Sequence, residues 1–240
     1  MEEALNMHKI SIIVPAYNER PKIETFITAL KETMQNNPLL SELIVVDDHS
    51  NDGTTDILKN LDIALITHHT NFGYGAALKS GIAKAINEFI CIIDSDNEFH
   101  PEEINRLLPY VNEYDMIVGS RTGNSTRTFP FYQKFAKGFI CSLLSLVFKQ
   151  KILDINSGLR LIRKDAVKKY IPILSDGFSF TSSITLAMLI DKHRIKYVPV
   201  NYYRRAEKSK IRVFSYTIGF IKSYLRIIWY KLICAESAVI

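Results

Sequence analysis

Asp94-Ser95-Asp96 sets two carboxylates two residues apart, directly behind the apolar run Phe89–Ile93. In an extended chain such residues point to the same side. Hard oxygen ligands at that separation suit Mg2+ or Mn2+ and leave coordination positions for phosphate oxygens and water. A solvated turn carrying two acids is the other reading of the same tripeptide. A second acceptor-rich turn, Asp47-Asp48-His49-Ser50-Asn51-Asp52-Gly53, follows the apolar run Leu43–Val46. It could start the next helix as an N-cap and Asx-turn cluster, and an acid there could equally bind the hydroxyls or base of a nucleotide. Pro15-Ala16-Tyr17-Asn18-Glu19, behind a third apolar run, offers an aromatic ring and an acid. On the cationic side, Arg204–Arg212 is a dense basic run, either a solvated loop or the counter-charge to a metal–pyrophosphate site. Asn71-Phe72-Gly73-Tyr74-Gly75 lacks both the full G-x-G-x-x-G pattern and a Walker Lys-Ser/Thr, so its glycines read as close helix–sheet packing or a sharp turn. His68, His69 and His100 show no metal-ligand spacing.

These residues need a scaffold, and the hydrophobic periodicity supplies one. Apolar, β-branched runs at Ile10–Val14, Leu43–Val46, Ile63–Thr67, Phe89–Ile93 and Met116–Val118 read as strands. Helical patterns fall between them: Arg20–Asn36, with Ile23, Phe26, Ile27 and Leu30 on one face, then Thr54–Asn60 and Ala76–Asn87. A fourth starts at His100-Pro101-Glu102-Glu103 and should run to about Asn112. This alternation predicts an α/β fold, a mostly parallel sheet covered by helices on both faces. Ligands of such sheets bind outside the carboxyl ends of the strands. The loops Pro15–Glu19, Asp47–Gly53 and Asp94–Glu98 all leave strand carboxyl ends and should converge on one crevice.

The second half is less regular. Gly119-Ser120-Arg121 leaves the fifth strand, and a polar turn leads into the basic, aromatic-rich stretch Phe129–Gly138 and a helix to about Phe148. Asp154–Gly158 precedes a strand-like Leu159–Ile162, and Lys164–Tyr170 and Ser182–Asp191 read as helices. Tyr197–Tyr203 reads as an edge strand, because Pro199 cannot donate to a ladder. With no internal repeat and no linker, residues 1–212 form one expected domain, followed by a helical segment over 213–240.

At 240 residues, 47% hydrophobic and 23% charged, the chain has ample material for a core, which excludes disorder, collagen and coiled coil. The net charge of +5 conceals a division: residues 1–120 hold 8 basic and 19 acidic side chains, residues 121–240 hold 22 and 6. A basic half of this kind faces phosphate, lipid head groups or nucleic acid. Nucleic acid is disfavoured, since no recognition motif or aromatic stacking platform is present. Cys91, Cys141 and Cys234 are unclustered and read as reduced thiols of a cytoplasmic protein. The first nine residues carry two acids and no apolar core, unlike a signal peptide. Gly138–Phe148, a charge-free apolar stretch, falls well short of the roughly 20 residues needed to cross a bilayer. Phe214–Cys234 reads as an amphipathic helix with Phe214, Ile218, Ile221, Leu225, Ile228 and Leu232 on one face, able either to lie in a membrane interface or to pack on the sheet.

Taken in order, Val14-Pro-Ala-Tyr-Asn-Glu19, Val45-Val-Asp-Asp-His-Ser-Asn-Asp-Gly53, Asn71-Phe-Gly-Tyr-Gly75, Ile93-Asp-Ser-Asp96, Val118-Gly-Ser-Arg121, Asp154-Ile-Asn-Ser-Gly-Leu-Arg160 and Val198-Pro-Val200 with Lys208-Ser-Lys210 resemble inverting family 2 glycosyltransferases of GT-A fold. Within that family the resemblance is to dolichyl- and polyprenyl-phosphate sugar synthases, over roughly residues 9–212. It implies that Pro15, Tyr17 and Glu19 line a nucleoside pocket and that Val46 and Asp48 contact base or ribose. Asp94 and Asp96 would hold Mg2+ or Mn2+ on the donor diphosphate, with Ser95 alongside. Arg121, Arg204 and Lys210 would bind the diphosphate or the acceptor's phosphate. Asp96, Arg121 and Arg204 would stabilise charge on the departing nucleoside diphosphate.

Three departures from the family pattern stand out. Glu98 replaces a Gln that commonly adds a metal contact and would make a third carboxylate ligand. Glu207 replaces a Gly beside Lys208-Ser-Lys210. Thr181-Ser-Ser-Ile-Thr-Leu186 stands where many relatives place an acid after Gly177-Phe-Ser-Phe180, which favours a lipid-phosphate acceptor over a glycan hydroxyl. The implied partners are a nucleotide-sugar (UDP- or GDP-linked), a polyprenyl-phosphate or glycan acceptor, and a cytoplasmic membrane face reached directly or through a membrane partner protein.

Overall fold

The computed structural model describes residues 8–122, 131–203, 219 and 221–230, the side chains of 131–137, 139 and 140 excepted. In chain order the first half runs β1 (Ile10–Ala16), α1 (Ile23–Gln35), β2 (Leu40–Asp47), α2 (Thr54–Lys59), β3 (Ala64–Thr67), α3 (Tyr74–Lys84), β4 (Phe89–Ile92) and β5 (Met116–Ser120). The second adds α4 (Phe131–Phe148), β6 (Arg160–Arg163), α5 (Lys164–Lys168), α6 (Phe180–Ile190) and β7 (Ile195–Pro199). The strands form a sheet in the order β3-β2-β1-β4-β6-β5-β7. β6 is antiparallel to both β4 and β5, and the other pairs are parallel. This is the mostly parallel α/β sheet the periodicity predicts, with β7 and its Pro199 at an edge as expected.

Side chains alternate across the sheet, as a period of two requires. Ile12 and Val14 of β1 meet Ile23, Phe26, Ile27 and Leu30 of α1 on one face. Ile13 meets Ala77, Leu78 and Ile82 of α3 on the other, in a core shared with α6. Both faces of β1, β2 and β4 are therefore buried, which explains why these strands read as unbroken apolar runs.

Between β4 and β5 the expected helix is a pair of 3-10 segments, Pro101–Arg106 and Leu108–Tyr110. Pro109 explains why they do not run on as one α-helix: it has no N–H to return to Asn105, so an α-helical ladder cannot propagate through it. α3 starts at Tyr74, two residues earlier than its periodicity suggests, which brings Tyr74 into the first turn. The C-terminal amphipathic reading also changes. Residues 221–230 are helical, but Ser223 and Ile227 are the buried positions, whereas Ile221 and Leu225 of the expected apolar face are exposed.

Chain reversal defines the crevice. The chain steps outward from β1 through β2 to β3, then returns to place β4 on the other side of β1, so β1 and β4 flank a topological switch point. β6 runs the opposite way, and Arg160 at its start pairs with Ile92 of β4 and Val118 of β5. The loop leading into β6 therefore arrives at the carboxyl ends of its neighbours.

Two consequences can be measured. A Cβ on Gly81 of α3 would stand 2.4 Å from Ile13 Cγ2, and overpacking of about 1–3 kcal/mol outweighs the roughly 1 kcal/mol gained in helix propensity. Gly81→Ala should lower the urea midpoint and Gly81→Val lower it further; a midpoint at or above wild type would show that Ile13 yields freely. Burial pushes the Cys91 thiol up to about 12, so alkylation at pH 8 followed by peptide mass spectrometry should find Cys91 unlabelled in the native chain and labelled in urea.

Candidate functional site

The loops leaving β1 and β4 are tied at the switch point by the Ser95 hydroxyl, which donates to the Pro15 carbonyl at 2.9 Å. The loop after β1 is also knit to the one after β2. Asn18, in the left-handed region at φ 53°, receives a bond from Asn51 N at 2.9 Å and donates its own N–H to Ser50 Oγ at 2.9 Å. Glu19 N donates to Thr54 Oγ1 at 2.9 Å. Pro15 and Glu19 are buried in this knot, and Tyr17 is half-buried beside them.

Asp47 and Asp48 divide their work in a way the tandem acids did not disclose. The buried Asp47 carboxylate receives the hydroxyls of Ser50 and Thr55 and stiffens the turn. Asp48 faces the Asn71–Gly75 segment: Oδ1 accepts from Phe72 N at 2.9 Å and meets His68 Nδ1 at 2.7 Å, and Oδ2 accepts from Gly73 N at 2.7 Å. His68 continues the chain through Nε2 to Ser80 Oγ at 2.9 Å. The histidine that lacked metal spacing is thus a bridge between a loop acid and α3. Val46 is wholly enclosed in the core against α3, so its side chain does not reach the crevice.

Beyond β4, Asp94 and Asp96 lie on the loop as the strand pattern predicts, Asp96 buried and Asp94 partly exposed. Asp96 Oδ1 accepts from Glu98 N at 3.0 Å. Asp94 Oδ1 accepts from the Tyr74 phenol at 2.7 Å. Burial first, then the Asp94 carboxylate, raise the Tyr74 phenol well above its ordinary range, so it stays a donor. Among the described residues no group of three or more His, Cys, Asp or Glu side chains is gathered as a cation cage, so Glu98 does not complete a preformed trio with the two aspartates. Glu98 instead lies in the field of Arg121.

The loop 154–158 closes the other wall. Arg121, the residue after β5, holds Asp154 with a two-pronged bond, Nε to Oδ2 at 2.7 Å and Nη2 to Oδ1 at 2.8 Å, and lies 5.6 Å over the Tyr202 ring. Burial works against the Arg121 charge, but Asp154 more than reverses this and holds it firmly cationic. Gly158 sits on Asp94 so closely that a Cβ would be 1.7 Å from Oδ2. Arg160, fully buried, donates to the carbonyls of Ser157 at 2.8 Å and Ile155 at 2.7 Å and to Thr185 Oγ1 at 2.7 Å.

Pro15, Ser95, Asp94, Asp96 and Arg121 thus all lie at the carboxyl ends of β1, β4 and β5 flanking the switch point, with Tyr17 and Glu19 on the loop after β1. Tyr203 N donates to Glu98 O at 2.9 Å, so the chain leaves the described residues beside this crevice; Arg204 and Lys210 lie outside them. Sequence reasoning missed Asp154, Tyr74 and His68. Asp154 and Tyr74 each stood in a quoted motif without a role, whereas His68 was set aside for lacking metal-ligand spacing.

Comparison with known proteins agrees with this architecture. The Glycosyl transferase family 2 sequence model matches residues 11–171. An uncharacterised protein of Methanocaldococcus jannaschii is 32% identical over 209 residues, covering 82% of this chain and 82% of that protein. A dolichol-phosphate mannosyltransferase of Pyrococcus furiosus is 31% identical over 171 residues, covering 67% of this chain and 47% of that protein. An undecaprenyl-phosphate 4-deoxy-4-formamido-L-arabinose transferase of Proteus mirabilis is 26% identical over 189 residues, 72% of this chain and 57% of that protein. The chain thus spans about half the length of these last two relatives. Among solved structures, glucosyl-3-phosphoglycerate synthase from Mycobacterium tuberculosis, in complex with Mn2+, uridine diphosphate and glucosyl-3-phosphoglycerate, superposes with a TM-score of 0.68 at 19% identity, over 92% of this chain and 80% of that one. Mannosyl-3-phosphoglycerate synthase from Rubrobacter xylanophilus gives 0.70 at 15% identity, over 93% and 75%. The ordered strand-end motifs, the sheet with its antiparallel β6 and the match over residues 11–171 make this chain a family 2 glycosyltransferase of GT-A fold.

Proposed function

We propose that this glycosyltransferase moves a sugar from a nucleotide-sugar to polyprenyl phosphate, with inversion and with Mg2+ or Mn2+, at the cytoplasmic face of a membrane. The observation that carries the acceptor class is the composition of α6, which is joined through Arg160 to the loop 154–158. Phe180–Ile190 contains no acid. Its hydroxyls turn inward: Ser182 donates to Ser179 O, Ser183 to Phe180 O and Thr185 to Thr181 O. A sugar hydroxyl needs a base to take its proton. A phosphate monoester is already anionic at neutral pH and needs none. Its oxygen attacks the anomeric carbon, the bond from that carbon to the donor diphosphate breaks, and the nucleoside diphosphate leaves with the electron pair. Two relatives, named as dolichol-phosphate and undecaprenyl-phosphate transferases, support the same class.

Asp94 and Asp96 fit a small divalent cation, being hard oxygen donors on one short loop. Such a cation neutralises charge on the departing diphosphate. Pro15, Tyr17, Glu19 and Asp48 bound the nucleoside side, Asp48 through the loop it anchors. Arg121, held cationic and oriented by Asp154, faces the phosphates. Arg204 and Lys210 complete this cationic wall in the same reading.

Membrane contact is supported by a second surface. No helix among the described residues is long and apolar enough to cross a membrane. α4 nevertheless exposes Leu143, Leu146 and Val147, and the 221–230 helix exposes Ile221, Leu225 and Trp229 while Ser223 and Ile227 hold it to the core. Cations stand beside these residues, Lys149 after α4 and Lys222 and Arg226 on the terminal helix. Apolar side chains with basic neighbours suit an anionic bilayer surface.

The chemistry is tested by incubating a panel of labelled UDP- and GDP-sugars with short polyprenyl phosphates and either cation. Lipid-linked product is expected, with turnover abolished by EDTA and lowered at least about a hundredfold by Asp96→Asn. Efficient transfer to a free sugar with none to polyprenyl phosphate would sink the acceptor assignment. For the membrane, Ile221→Ser/Leu225→Ser/Trp229→Ser is preferable to truncation, because it spares the buried Ile227. Wild type should float with anionic liposomes and the triple variant should remain at the bottom of the gradient; equal flotation of the two would remove the helix from the membrane surface.

A further inference from the structure

Glu103 is a buried carboxylate with no part in the reaction described above. It lies on the 3-10 turn Pro101–Arg106, beside the chain that continues from β7 at the sheet edge. Beyond Pro199 the backbone amides alternate in direction, as those of an extended chain do. Val200 N donates to Ser120 O of β5 at 3.0 Å, whereas Asn201 N goes to Glu103 Oε2 at 3.0 Å and Tyr203 N to Glu98 O at 2.9 Å. Glu103 Oε1 also accepts from Asn201 Nδ2 at 2.9 Å, and Arg106 Nε lies 2.8 Å from Oε2. A side-chain carboxylate thus stands in for a neighbouring strand at this edge. Between the two amides that it and Glu98 receive sits Tyr202, which is buried. Its ring has the Phe99 ring 5.6 Å away, centroid to centroid, and the Arg121 guanidinium carbon 5.6 Å from its centre.

Asp154 holds Arg121 along one edge, through Nε and Nη2. Such a two-pronged pair fixes that edge, but guanidinium and carboxylate can still rock together about it. A ring laid against the guanidinium face opposes the rocking, by contact and by cation–π attraction. Nη1 enters neither bond to Asp154 and is the side that can turn to an anion. We propose that Tyr202 is a positioning residue that, held by Glu103 through Asn201, keeps Arg121 in the orientation that takes the donor diphosphate. The inference rests on the reading of Arg121 as a diphosphate ligand. Glu103→Gln keeps the volume of the side chain but sets an amide NH2 against the Asn201 donors, which loosens Tyr202 without opening the packing. Tyr202→Leu removes the ring itself.

The test is calorimetric titration of the full chain, with Mg2+ present, by UDP and UMP and by GDP and GMP. Within the pair that binds, the ratio of diphosphate to monophosphate affinity isolates what the second phosphate contributes. Thermal midpoints serve as the control of folding. Arg121→Ala should lower the ratio about tenfold or more, Tyr202→Leu about threefold or more and Glu103→Gln about twofold. The double variant Tyr202→Leu/Arg121→Ala should match Arg121→Ala alone, because the ring acts only through the guanidinium. A merely structural role for Tyr202 and Glu103 would lower the midpoint and weaken both nucleotides alike. An unchanged ratio in Tyr202→Leu and Glu103→Gln, beside a lowered one in Arg121→Ala, would therefore overturn the positioning role and leave Arg121 a diphosphate ligand. So would a double variant with a lower ratio than Arg121→Ala. A ratio that Arg121→Ala leaves unchanged, or a wild type that binds neither diphosphate, would overturn both.

Discussion

The close approach of residues 154–158 to the end of β4 is the constraint on which the rest of the site depends. At Gly158 the backbone lies against the Asp94 carboxylate, where any side chain would collide with it. Three sets of hydrogen bonds hold the loop there. Ser157 Oγ donates to Gly119 O at the end of β5, Asp154 grips Arg121, and Arg160 stitches the carbonyls of Ile155 and Ser157 to α6. Arg160 is a buried cation whose pKa is lowered by its burial, and its own N–H groups go to neutral oxygens of Ser157, Ile155 and Thr185. Removing it would leave the Ser157 and Ile155 carbonyls without its donors in the interior, a penalty borne by the loop rather than by the sheet.

The direction of β6 makes this approach possible. In an all-parallel sheet, the segment entering a strand arrives at the amino end of its neighbours, far from the crevice. Because β6 is reversed, its leading loop reaches the carboxyl edge where β1, β4 and β5 also end. The same reversal brings Asp154 across to Arg121 and sets a carboxylate–guanidinium pair beside two aspartates. The charge division of the chain thereby acquires a spatial form. Acids of the first half and a base of the second line one cleft, each neutralised in part by local partners.

Support for the site is mostly indirect. Ser95 ties two loops, Asp48 and His68 anchor a third, and Tyr74 carries that anchoring to Asp94. Such networks act by limiting motion, each of these bonds tying one loop to another element of the fold. At the periphery, the helix over residues 221–230 illustrates the same economy. Small Gly219 and Ser223 with Ile227 seat it near Ser179, and its larger apolar side chains remain outside.

Much of this was legible in the residues themselves. The runs Ile10–Val14, Leu43–Val46 and Phe89–Ile93 specify buried strands, because both faces of each must be apolar, and the Ile23, Phe26, Ile27, Leu30 spacing specifies the helix beside them. Their alternation fixes which loops share an edge, so the gathering of Pro15, Asp94 and Asp96 followed from sequence. Pro109 could have warned against an α-helix after His100, since a missing donor breaks the ladder whatever the acids of the first turn suggest. What sequence could not state is orientation. Periodicity is the same for a parallel and an antiparallel strand, so the reversal of β6 and everything it carries, Asp154 on Arg121 and Gly158 on Asp94, belongs to tertiary structure. So do the inward turn of Asp48 and the bond from Tyr74 to Asp94, because hydrogen bonds between loops 20 or more residues apart depend on how helices seat on the sheet. The chain determined by itself which strand ends would meet; packing alone decided which side chains there face the crevice and which hold the others still.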